Sequence, residues 1–334
     1  MSSYSLNLLL LESMKGKIYL ILTLIFIVSC KKFQTNSYTQ LNGTSFGTSF
    51  HISYDNEEDF STEINTIFIE FNNSMSTYIP NSIISRVNRN DYLVETDDYF
   101  VEALEKARYF YLETDGYFDP TIGRLIDAYG FGSGEEKELT QEEVDQIMDA
   151  TGFDKVKLVG NKVIKKSDLE LNVNAFAKGL GIDIVGRFLE SKGVKNYLIE
   201  IGGEIRARGL NPDGKFWKVA IDDPNVDGTR SQSKVVELIN ESMATSGNYR
   251  KYKMNKDGEK IVHTVNPKTG LAKESNLLSA SVISEGDCAD VDAYATAFMA
   301  MGLENTKEFL MNHKDLRVVL LYFDEEGKIA EFRN

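Results

Sequence analysis

Apolar residues recur along this chain with a helical period in several stretches that turn residues separate. Between residues 57 and 75 they form one stripe, as in a helix that packs on a core. Two acidic residues, Asp97 and Asp98, start another helix, and Thr140 with Glu143 forms a capping box. The predicted helices are 57–75, a short one from 82, 97–113, 140–150, 177–189, 289–301 and 306–312.

Strands are predicted where alternating or continuous apolar residues lie between glycine, asparagine and proline turns. One hairpin covers Tyr38–Tyr54, a second turns at Gly160-Asn161, and a third turns at Asp324–Gly327. Further predicted strands are 197–201, 204–209, 216–221, 231–240 and 278–284, whereas ATSGNY (244–249) and HTVNPKTG (263–270) are predicted as loops. Because strands and helices are mixed without regular alternation, we predict an α+β fold of mixed sheets and packed helices. The length and the hydrophobic content allow one large domain or two interlocked lobes.

The stretch 171–203 combines a turn, a helix and a buried strand. Asn172, Asn174 and Ala175 form the turn, and Lys178 lies in the first part of the helix. Backbone N–H groups at a helix start, together with a lysine, suit an anionic ligand. The alternative is an ordinary strand–helix–strand unit with a solvated lysine. Spacing alone favours this alternative, because the stretch has no complete GxGxxG or GxxxxGKS motif.

The N-terminal segment has the features of a secretory signal. A basic start at Met14–Lys17 precedes an uncharged run, which ends at Ile27–Cys30 in a sequence that resembles a bacterial lipobox. We therefore predict a lipoprotein anchored in the inner or outer membrane on the periplasmic side. Its predicted parts are a signal peptide over 1–29 with Met14 as the true start, lipidated Cys30 with a tether over 30–37, and a folded domain over 38–334. The alternative is a short membrane anchor that is never cleaved.

Charge and residue counts narrow the chemistry. The formal net charge is −14, which argues against nucleic acid and against electrostatic binding to anionic lipid. An anionic ligand would therefore need local dipoles, a few cations or a metal. With three histidines in the chain, an oxygen-ligated hard metal is favoured over a multi-histidine site. If Cys30 is lipidated, Cys288 has no disulfide partner within the chain, and we expect a small buried residue there.

Five motifs follow one another along the chain. They are GTSFGTSFHI; MSTYIPNSIISRVN with GYFDPTIGRLIDAYGFG; LNVNAFAKGLGIDIV with IGGEIRARG; ATSGNYRKY with HTVNPKTG; and VDAYATAFMAMG. In this order, behind a lipobox, they resemble the ApbE family, the FAD:protein FMN transferases, in its lipoprotein form. The resemblance runs from about Thr39 to the C-terminus. It implies that FAD and a Thr or Ser hydroxyl of a target protein give phosphoester-linked FMN and AMP.

The resemblance implies a Mg²⁺ site made by the side chains of Asp292 and Thr296 and the backbone carbonyl of Ala175. Asp292 and Thr296 are four residues apart on a predicted helix and therefore share a face. Oxygen donors of these kinds suit Mg²⁺. The alternative is a helix-terminal aspartate and a buried threonine that bonds to its own backbone.

The resemblance also implies a set of FAD contacts and some departures from the family pattern. The implied FAD-binding residues are Phe46, Tyr78, Tyr117, Phe118, Asp119, Asn172, Lys178, Thr245, Ser246 and Val265. Lys178 would face the pyrophosphate, while the aromatic residues and carboxylate of 117–119 would suit adenine stacking and hydroxyl recognition, or alternatively core packing and a turn cap. The family commonly has Asp at 172 and at 266, Gly-Gly at 174–175, and Met at 46.

His263 matches the family's histidine and is the expected general base, since the reference pKa of a histidine side chain, about 6.5, suits an imidazole to accept a hydroxyl proton near neutral pH. We assign His51 and His313 to surface or capping roles. The implied acceptor is a subunit of an Rnf/Nqr-type redox complex. Two alternatives remain: an FAD pyrophosphatase that gives FMN and AMP, and a non-enzymatic lipid-anchored flavin-binding protein. Asn172 gives the last some weight, whereas the retained metal ligands, Lys178 and His263 weigh against it.

Overall fold

The computed structural model describes residues 37–221, 234–248, 252–254, 258, 260–273 and 275–334. The predicted signal peptide, Cys30, the tether up to residue 36 and the first part of the strand predicted at 231–240 lie outside these residues. Residues 37–334 form one compact unit, as expected for a single domain. Within the described ranges, no helix combines the length and the apolar character needed to span a membrane.

Fifteen strands occur in the described residues, and eight of them form one antiparallel sheet. The strands are β1 Thr39–Ser45, β2 Thr48–Tyr54, β3 Lys157–Val159, β4 Lys162–Ile164, β5 Tyr197–Ile201, β6 Glu204–Arg208, β7 Trp217–Ile221, β8 Lys234–Leu238, β9 Ser242–Gly247, β10 Tyr252–Met254, β11 Lys260–Asn266, β12 Leu271–Lys273, β13 Leu277–Ser284, β14 Arg317–Phe323 and β15 Ile329–Arg333. The large sheet has the order β1-β2-β5-β6-β9-β13-β14-β15. The smaller sheets are β10-β11-β12, β3-β4 and β7-β8.

The α-helices of the described residues are α1 Ser61–Met75, α2 Ile83–Asn88, α3 Asp98–Glu113, α4 Gly123–Ala128, α5 Gln141–Ala150, α6 Ala177–Ser191, α7 Cys288–Met301 and α8 Leu303–Leu310. All of them except α4 correspond to helices predicted from the sequence, whereas no helix was predicted at the position of α4. The side chain of Asp97 caps α3, and Thr140 with Glu143 forms the predicted capping box of α5. Both local signals are confirmed. They could be predicted because each depends on residues that are close in sequence.

The two faces of the large sheet bury different clusters, because side chains alternate along a strand. On β5, Tyr197, Ile199 and Ile201 belong to the main core with the helices, whereas Leu198 packs with Trp217 of the β7-β8 ribbon on the other face. On β6, Ile205 and Ala207 face that ribbon. Glu204 and Arg206 alternate with them and are therefore directed to the helix face. The helix face therefore carries buried charge.

Several predicted boundaries were wrong. The first helix starts at Ser61 rather than 57, because the Tyr54 hydroxyl accepts from the N–H of Phe60 and donates to the carbonyl of Glu58, which keeps that segment extended beside β2. The loop predicted at 244–249 is strand through Gly247, paired with β13 along its length and with β6 at its start. The loop predicted at 263–270 is strand through Asn266 and a turn afterwards. The last predicted helix begins earlier, at Leu303.

Candidate active site

A cavity of about 600 Å³ opens between the turn before α6, the β1-β2 turn, the loop before α4, strand β11 and helix α7. This size is in the usual range for a small-molecule or cofactor site. Eleven of the residues singled out from the sequence line it: Phe46, Tyr78, Tyr117, Phe118, Asp119, Asn172, Ala175, Lys178, His263, Val265 and Thr296. The structure thus brings residues of all five motifs to one place.

The cavity does not include three other predicted residues. Asp292 is buried behind the wall that Lys178 and Thr296 form. The Thr245 hydroxyl pairs with the Ser281 hydroxyl at 2.8 Å within the sheet. The Ser246 hydroxyl lies 3.3 Å from the Thr296 hydroxyl, so it adjoins the cavity without lining it. Ligand contacts for Thr245 and Ser246 stay predictions.

The aromatic wall has both structural and open parts. The Phe46 backbone has a positive φ of 52° in the β1-β2 turn, and its ring packs edge-on against Phe68, 5.3 Å between centroids. Phe118 is buried against Phe110 and Phe176, whereas Tyr78 is 61% exposed at the rim. Phe118 therefore fits the core-packing alternative as well as a cavity wall, and Tyr78 is accessible to a ligand.

Asp119 closes its own turn and still faces the cavity. One carboxylate oxygen, Oδ1, accepts from the Thr121 N–H at 2.8 Å and from the Thr121 hydroxyl at 2.6 Å. This is the turn cap considered from the sequence. Burial raises the pKa of Asp119 to about 6, although the bonds from Thr121 oppose the rise and nearby Asp154 adds to it. The carboxyl is thus poised to change charge near neutral pH.

The side-chain amide of Asn172 stabilises the turn before α6. Asn172 is buried, its N–H donates to the Pro120 carbonyl at 2.7 Å, and its side-chain oxygen accepts from the Asn174 N–H at 2.9 Å. An aspartate could accept the same bond, so Asn172 keeps the shape of the turn that the family's usual residue would give. This turn presents the Ala175 carbonyl to the Thr296 hydroxyl at 3.1 Å.

Lys178 forms an ion pair that the sequence did not predict. It lines the cavity, yet its ammonium group contacts the carboxylate of Glu204, which is 97% buried on β6. Burial opposes charge on Lys178, but Asp292 and Glu204 together raise its pKa above the usual value, so the lysine stays cationic. Burial also raises the pKa of Glu204, and its second oxygen has no hydrogen-bond partner among the residues that the structure describes. The lysine predicted to bind the pyrophosphate therefore lines the cavity, and Glu204 already neutralises part of its charge.

Asp292 is held by the first turn of α6. Its Oδ2 accepts from the Gly179 N–H at 3.1 Å, and the side chain is 3% exposed. Burial, and then the nearby Glu204 carboxylate, raise the pKa of Asp292 to about 8, while Lys178 opposes the rise. The Thr296 hydroxyl donates to the Ala175 carbonyl and not to its own helix. The alternative of a threonine that bonds to its own backbone was therefore wrong. The carboxylate and the hydroxyl thus come from α7, and the carbonyl oxygen comes from the turn before α6.

These three oxygens fit a hard divalent cation. No cluster of three or more His, Cys, Asp or Glu side chains suited to a metal occurs among the described residues. The donor set at Ala175, Asp292 and Thr296 contains one carboxylate, and such mixed oxygen ligands are what Mg²⁺ prefers. The raised pKa of Asp292 marks a buried carboxylate without enough compensating positive charge, and a bound cation would supply that charge.

His263 lies at the cavity, whereas His51 and His313 lie elsewhere in the domain. His263, on β11, lines the cavity with its ring edge-to-face with Phe131, 6.3 Å between centroids. His51 lies beside the Asn42 side chain on the β1-β2 hairpin, and His313 stacks on Phe309 and contacts Glu113 at 2.8 Å. Neither of these two lines the cavity. The fully buried Cys288 has a pKa raised by burial, which does not suit a nucleophile.

Comparison with known proteins is consistent with this geometry. A profile described as "ApbE family" matches residues 46–320. The chain is 33% identical to the FAD:protein FMN transferase of Vibrio cholerae over 304 residues, covering 87% of this chain and 89% of the relative. It is 31% identical to the FAD:protein FMN transferase of Haemophilus influenzae, covering 91% and 92%.

Solved structures give the same result. The flavin transferase ApbE from Vibrio cholerae superposes with a TM-score of 0.79 at 30% identity, over 89% of this chain and 97% of that one. The apo form of the Pseudomonas stutzeri flavinyl transferase ApbE also has a TM-score of 0.79, at 27% identity, over 89% and 95%. The likeness extends over nearly the whole of the described domain.

Proposed function

The chain belongs to the ApbE family, and from that premise we propose that it is an FAD:protein FMN transferase that requires Mg²⁺ and modifies a Thr or Ser hydroxyl. The observation that carries the proposal is the single cavity lined by His263, Lys178 and the Thr296–Ala175 contact. A base, a cation and a set of metal-compatible oxygens meet there, as phosphoryl-group chemistry requires.

In the proposed reaction, the acceptor hydroxyl oxygen forms a bond to the FMN-side phosphorus of FAD. The bond from that phosphorus to the bridging oxygen breaks, and AMP leaves with this oxygen. His263 takes the hydroxyl proton, because its ring reaches the cavity from β11 and an imidazole accepts protons near neutral pH. The products are the phosphoester-linked flavoprotein and AMP, so the atoms balance.

The other residues bind and orient FAD. Lys178 lies at the start of α6, where its charge and the helix N–H groups favour the pyrophosphate. Tyr78 and Tyr117 offer ring faces for the adenine, and Asp119 offers a carboxylate to a ligand hydroxyl. Asp292, Thr296 and the Ala175 carbonyl would hold Mg²⁺, which when bound neutralises charge on the pyrophosphate. A protein with a net charge of −14 has particular need of such local positive charge.

We also propose the cellular setting implied by the sequence. The lipobox at Cys30 would anchor the protein by lipid on the periplasmic side of a membrane, facing an acceptor subunit of an Rnf/Nqr-type redox complex. The tether would let the domain reach acceptors that protrude from the membrane. An outer-membrane anchor and an inner-membrane anchor differ in which acceptors are in reach.

Mass spectrometry tests the proposal. The chain from Lys31 onward is incubated with FAD, Mg²⁺ and an acceptor domain that carries the threonine-containing flavinylation motif of an Rnf/Nqr-type subunit. We expect the acceptor to gain the mass of an FMN phosphoester while AMP appears in equal amount. AMP and free FMN with an unchanged acceptor would instead identify an FAD pyrophosphatase. Intact FAD bound to the protein would identify a flavin-binding protein.

FAD binding is expected to weaken as the pH falls. An ionised Asp119 accepts from a ligand hydroxyl more strongly than the protonated acid does, and its pKa is about 6. Affinity should therefore drop about tenfold between pH 7 and pH 5, since each unit below the pKa removes most of the ionised form. Flavin fluorescence titrations in EDTA measure this. The Asp119→Asn variant should bind more weakly at pH 8 and show no such slope.

Asp154→Asn is the matched control for this titration. Asp154 lies near Asp119 and raises its pKa, but it does not line the cavity. The control should therefore keep the pH dependence, with its midpoint moved to lower pH. An FAD affinity that is constant from pH 5 to pH 8 in the wild type would remove Asp119 from hydroxyl recognition.

A further inference from the structure

Three polar contacts join α6 and its preceding turn to α7 at regular intervals, and we call them the α6–α7 seam. The Thr296 hydroxyl donates to the Ala175 carbonyl, the Gly179 N–H donates to Asp292, and the N–H groups of Cys288 and Ala289 donate to Asp183. The contacts are spaced by about four residues on each side and in opposite directions. The two helices therefore run antiparallel along the seam, one turn per contact.

The first two contacts involve the proposed metal ligands, but the third does not. Asp183 is completely buried on α6, and it accepts the Cys288 and Ala289 N–H groups at 2.8 Å each. These two N–H groups belong to the first turn of α7, where no intrahelical acceptor exists. Asp183 thus caps α7 from a neighbouring helix. Asp287 occupies the N-cap position of α7 but makes no side-chain cap bond, so Asp183 takes over this role.

Arg206 holds Asp183 in place. It lies on the helix face of β6, donates to Asp183 at 2.6 Å and to Asp287 at 2.7 Å, and is 8% exposed in its side chain. A buried guanidinium bound to two carboxylates fixes the angle of both. The side chains of Arg206 and Glu204 project from the same face of β6, so this strand contacts α6 at both Asp183 and Lys178. The sheet and the two helices are joined through these charges.

The helices are also too close for any residue but glycine at the middle contact. A Cβ atom on Gly179 would lie 2.5 Å from the Cys288 carbonyl oxygen. At this distance, a small change in the spacing or register of the helices would move Asp292 and Thr296 relative to the Ala175 carbonyl. The metal ligands come from both sides of the seam, so their mutual distance depends on the seam.

We propose that Asp183, held by Arg206, is a positioning residue for the metal site: it sets the register of α6 and α7 that brings Asp292, Thr296 and the Ala175 carbonyl together. This inference rests on the proposed Mg²⁺-dependent function. Asp183 touches neither the cavity nor the proposed ligands, and it acts through the backbone of α7. Residues that orient metal ligands in this way typically contribute about 10- to 100-fold to metal affinity.

The test is Mg²⁺ binding to the protein measured by calorimetry with the metal alone, for the wild type and for Asp183→Asn. Asparagine has the same shape but cannot accept both helix N–H groups and the guanidinium. We expect Mg²⁺ affinity to fall about 10- to 100-fold, while FAD affinity in EDTA stays within twofold of the wild type. In the transfer assay, excess Mg²⁺ should restore most of the rate.

Asp287→Asn is the matched control, because Asp287 binds the same Arg206 but does not contact α6 through its side chain. It should lower thermal stability without changing Mg²⁺ affinity. If Asp183→Asn binds Mg²⁺ like the wild type, or if Asp287→Asn weakens it equally, the positioning role is wrong. A wild type that binds no Mg²⁺ would instead refute the metal part of the proposed function.

Gly179→Ala provides a second, independent probe if Asp183→Asn does not fold. Alanine favours a helix more than glycine does, so the expected defect comes from the seam and not from helix propensity. The added methyl group must separate the helices, and Mg²⁺ affinity should fall as in Asp183→Asn. Unchanged Mg²⁺ affinity in a folded Gly179→Ala protein would overturn the proposal.

Discussion

Replacement of Asp292 by asparagine is expected to abolish Mg²⁺-dependent FMN transfer and to leave the protein folded. The carboxylate is the one charged group in the proposed ligand set, and metal stabilisation of a phosphoryl transition state is worth several kcal/mol, so the rate should fall by about 10³-fold or more. Asparagine keeps the size of the side chain and an oxygen that can accept from Gly179. The loss should therefore be one of chemistry and not of structure.

The same substitution is expected to change how stability depends on pH. In the metal-free protein, burial raises the pKa of Asp292 to about 8, far above that of an unfolded aspartate. A raised folded-state pKa means that the favourable contribution of this group is complete below about pH 4 and is lost as the pH rises towards 8. Asparagine removes this loss, so Asp292→Asn should melt at a higher temperature than the wild type at pH 8 in EDTA.

AMP release and thermal melting, each with and without Mg²⁺, measure these effects. Asp290→Asn is the control, because Asp290 lies on the same helix and pairs with Lys106 away from the cavity. It should retain transfer. Undiminished Mg²⁺-dependent turnover by Asp292→Asn would mean that the metal is bound elsewhere.

Replacement of His263 by alanine is expected to lower transfer by about 10²- to 10⁴-fold, the usual contribution of a general base. FAD binding should stay near the wild-type value, because the ring is one of many residues that line a 600 Å³ cavity. Rates of acceptor flavinylation from pH 5 to pH 9 provide the measurement.

His51→Ala controls for the loss of an imidazole elsewhere in the domain. His51 lies on the β1-β2 hairpin, and its partner is the Asn42 side chain, outside the cavity. Its replacement should leave both the rate and the pH profile unchanged. If His263→Ala transfers FMN as fast as the wild type, the base must be another group.

Much of this fold follows from local sequence signals. The stripe of α1, the capping box of α5 and the turn of the β3-β4 hairpin each involve residues close in sequence, and each was predicted. The segment ATSGNY at 244–249 is different, since its hydroxyls and glycine suggested a loop, whereas strand β9 runs over Ser242–Gly247. It is a strand because β13 and β6 flank it in the sheet, and these partners are distant in sequence.

The cavity residues were also predicted, but through the family resemblance more than through spacing. The buried charges next to the cavity were not predicted. Glu204, Arg206 and Asp183 look ordinary along the chain, and the partners in these contacts lie 23 to 106 residues away. One signal was available: Glu204, Arg206 and Arg208 alternate with the apolar Ile205 and Ala207 in this strand, which places the charged residues on one face.

The α6–α7 seam has a consequence for amide hydrogen exchange. The N–H groups of Gly179, Cys288 and Ala289 belong to first turns of helices, which usually fray and exchange quickly. Here buried carboxylates hold them, so they should exchange with solvent only when the two helices separate. The exchange rates of these three amides would therefore report how often the two helices separate, and added Mg²⁺ should slow all three together.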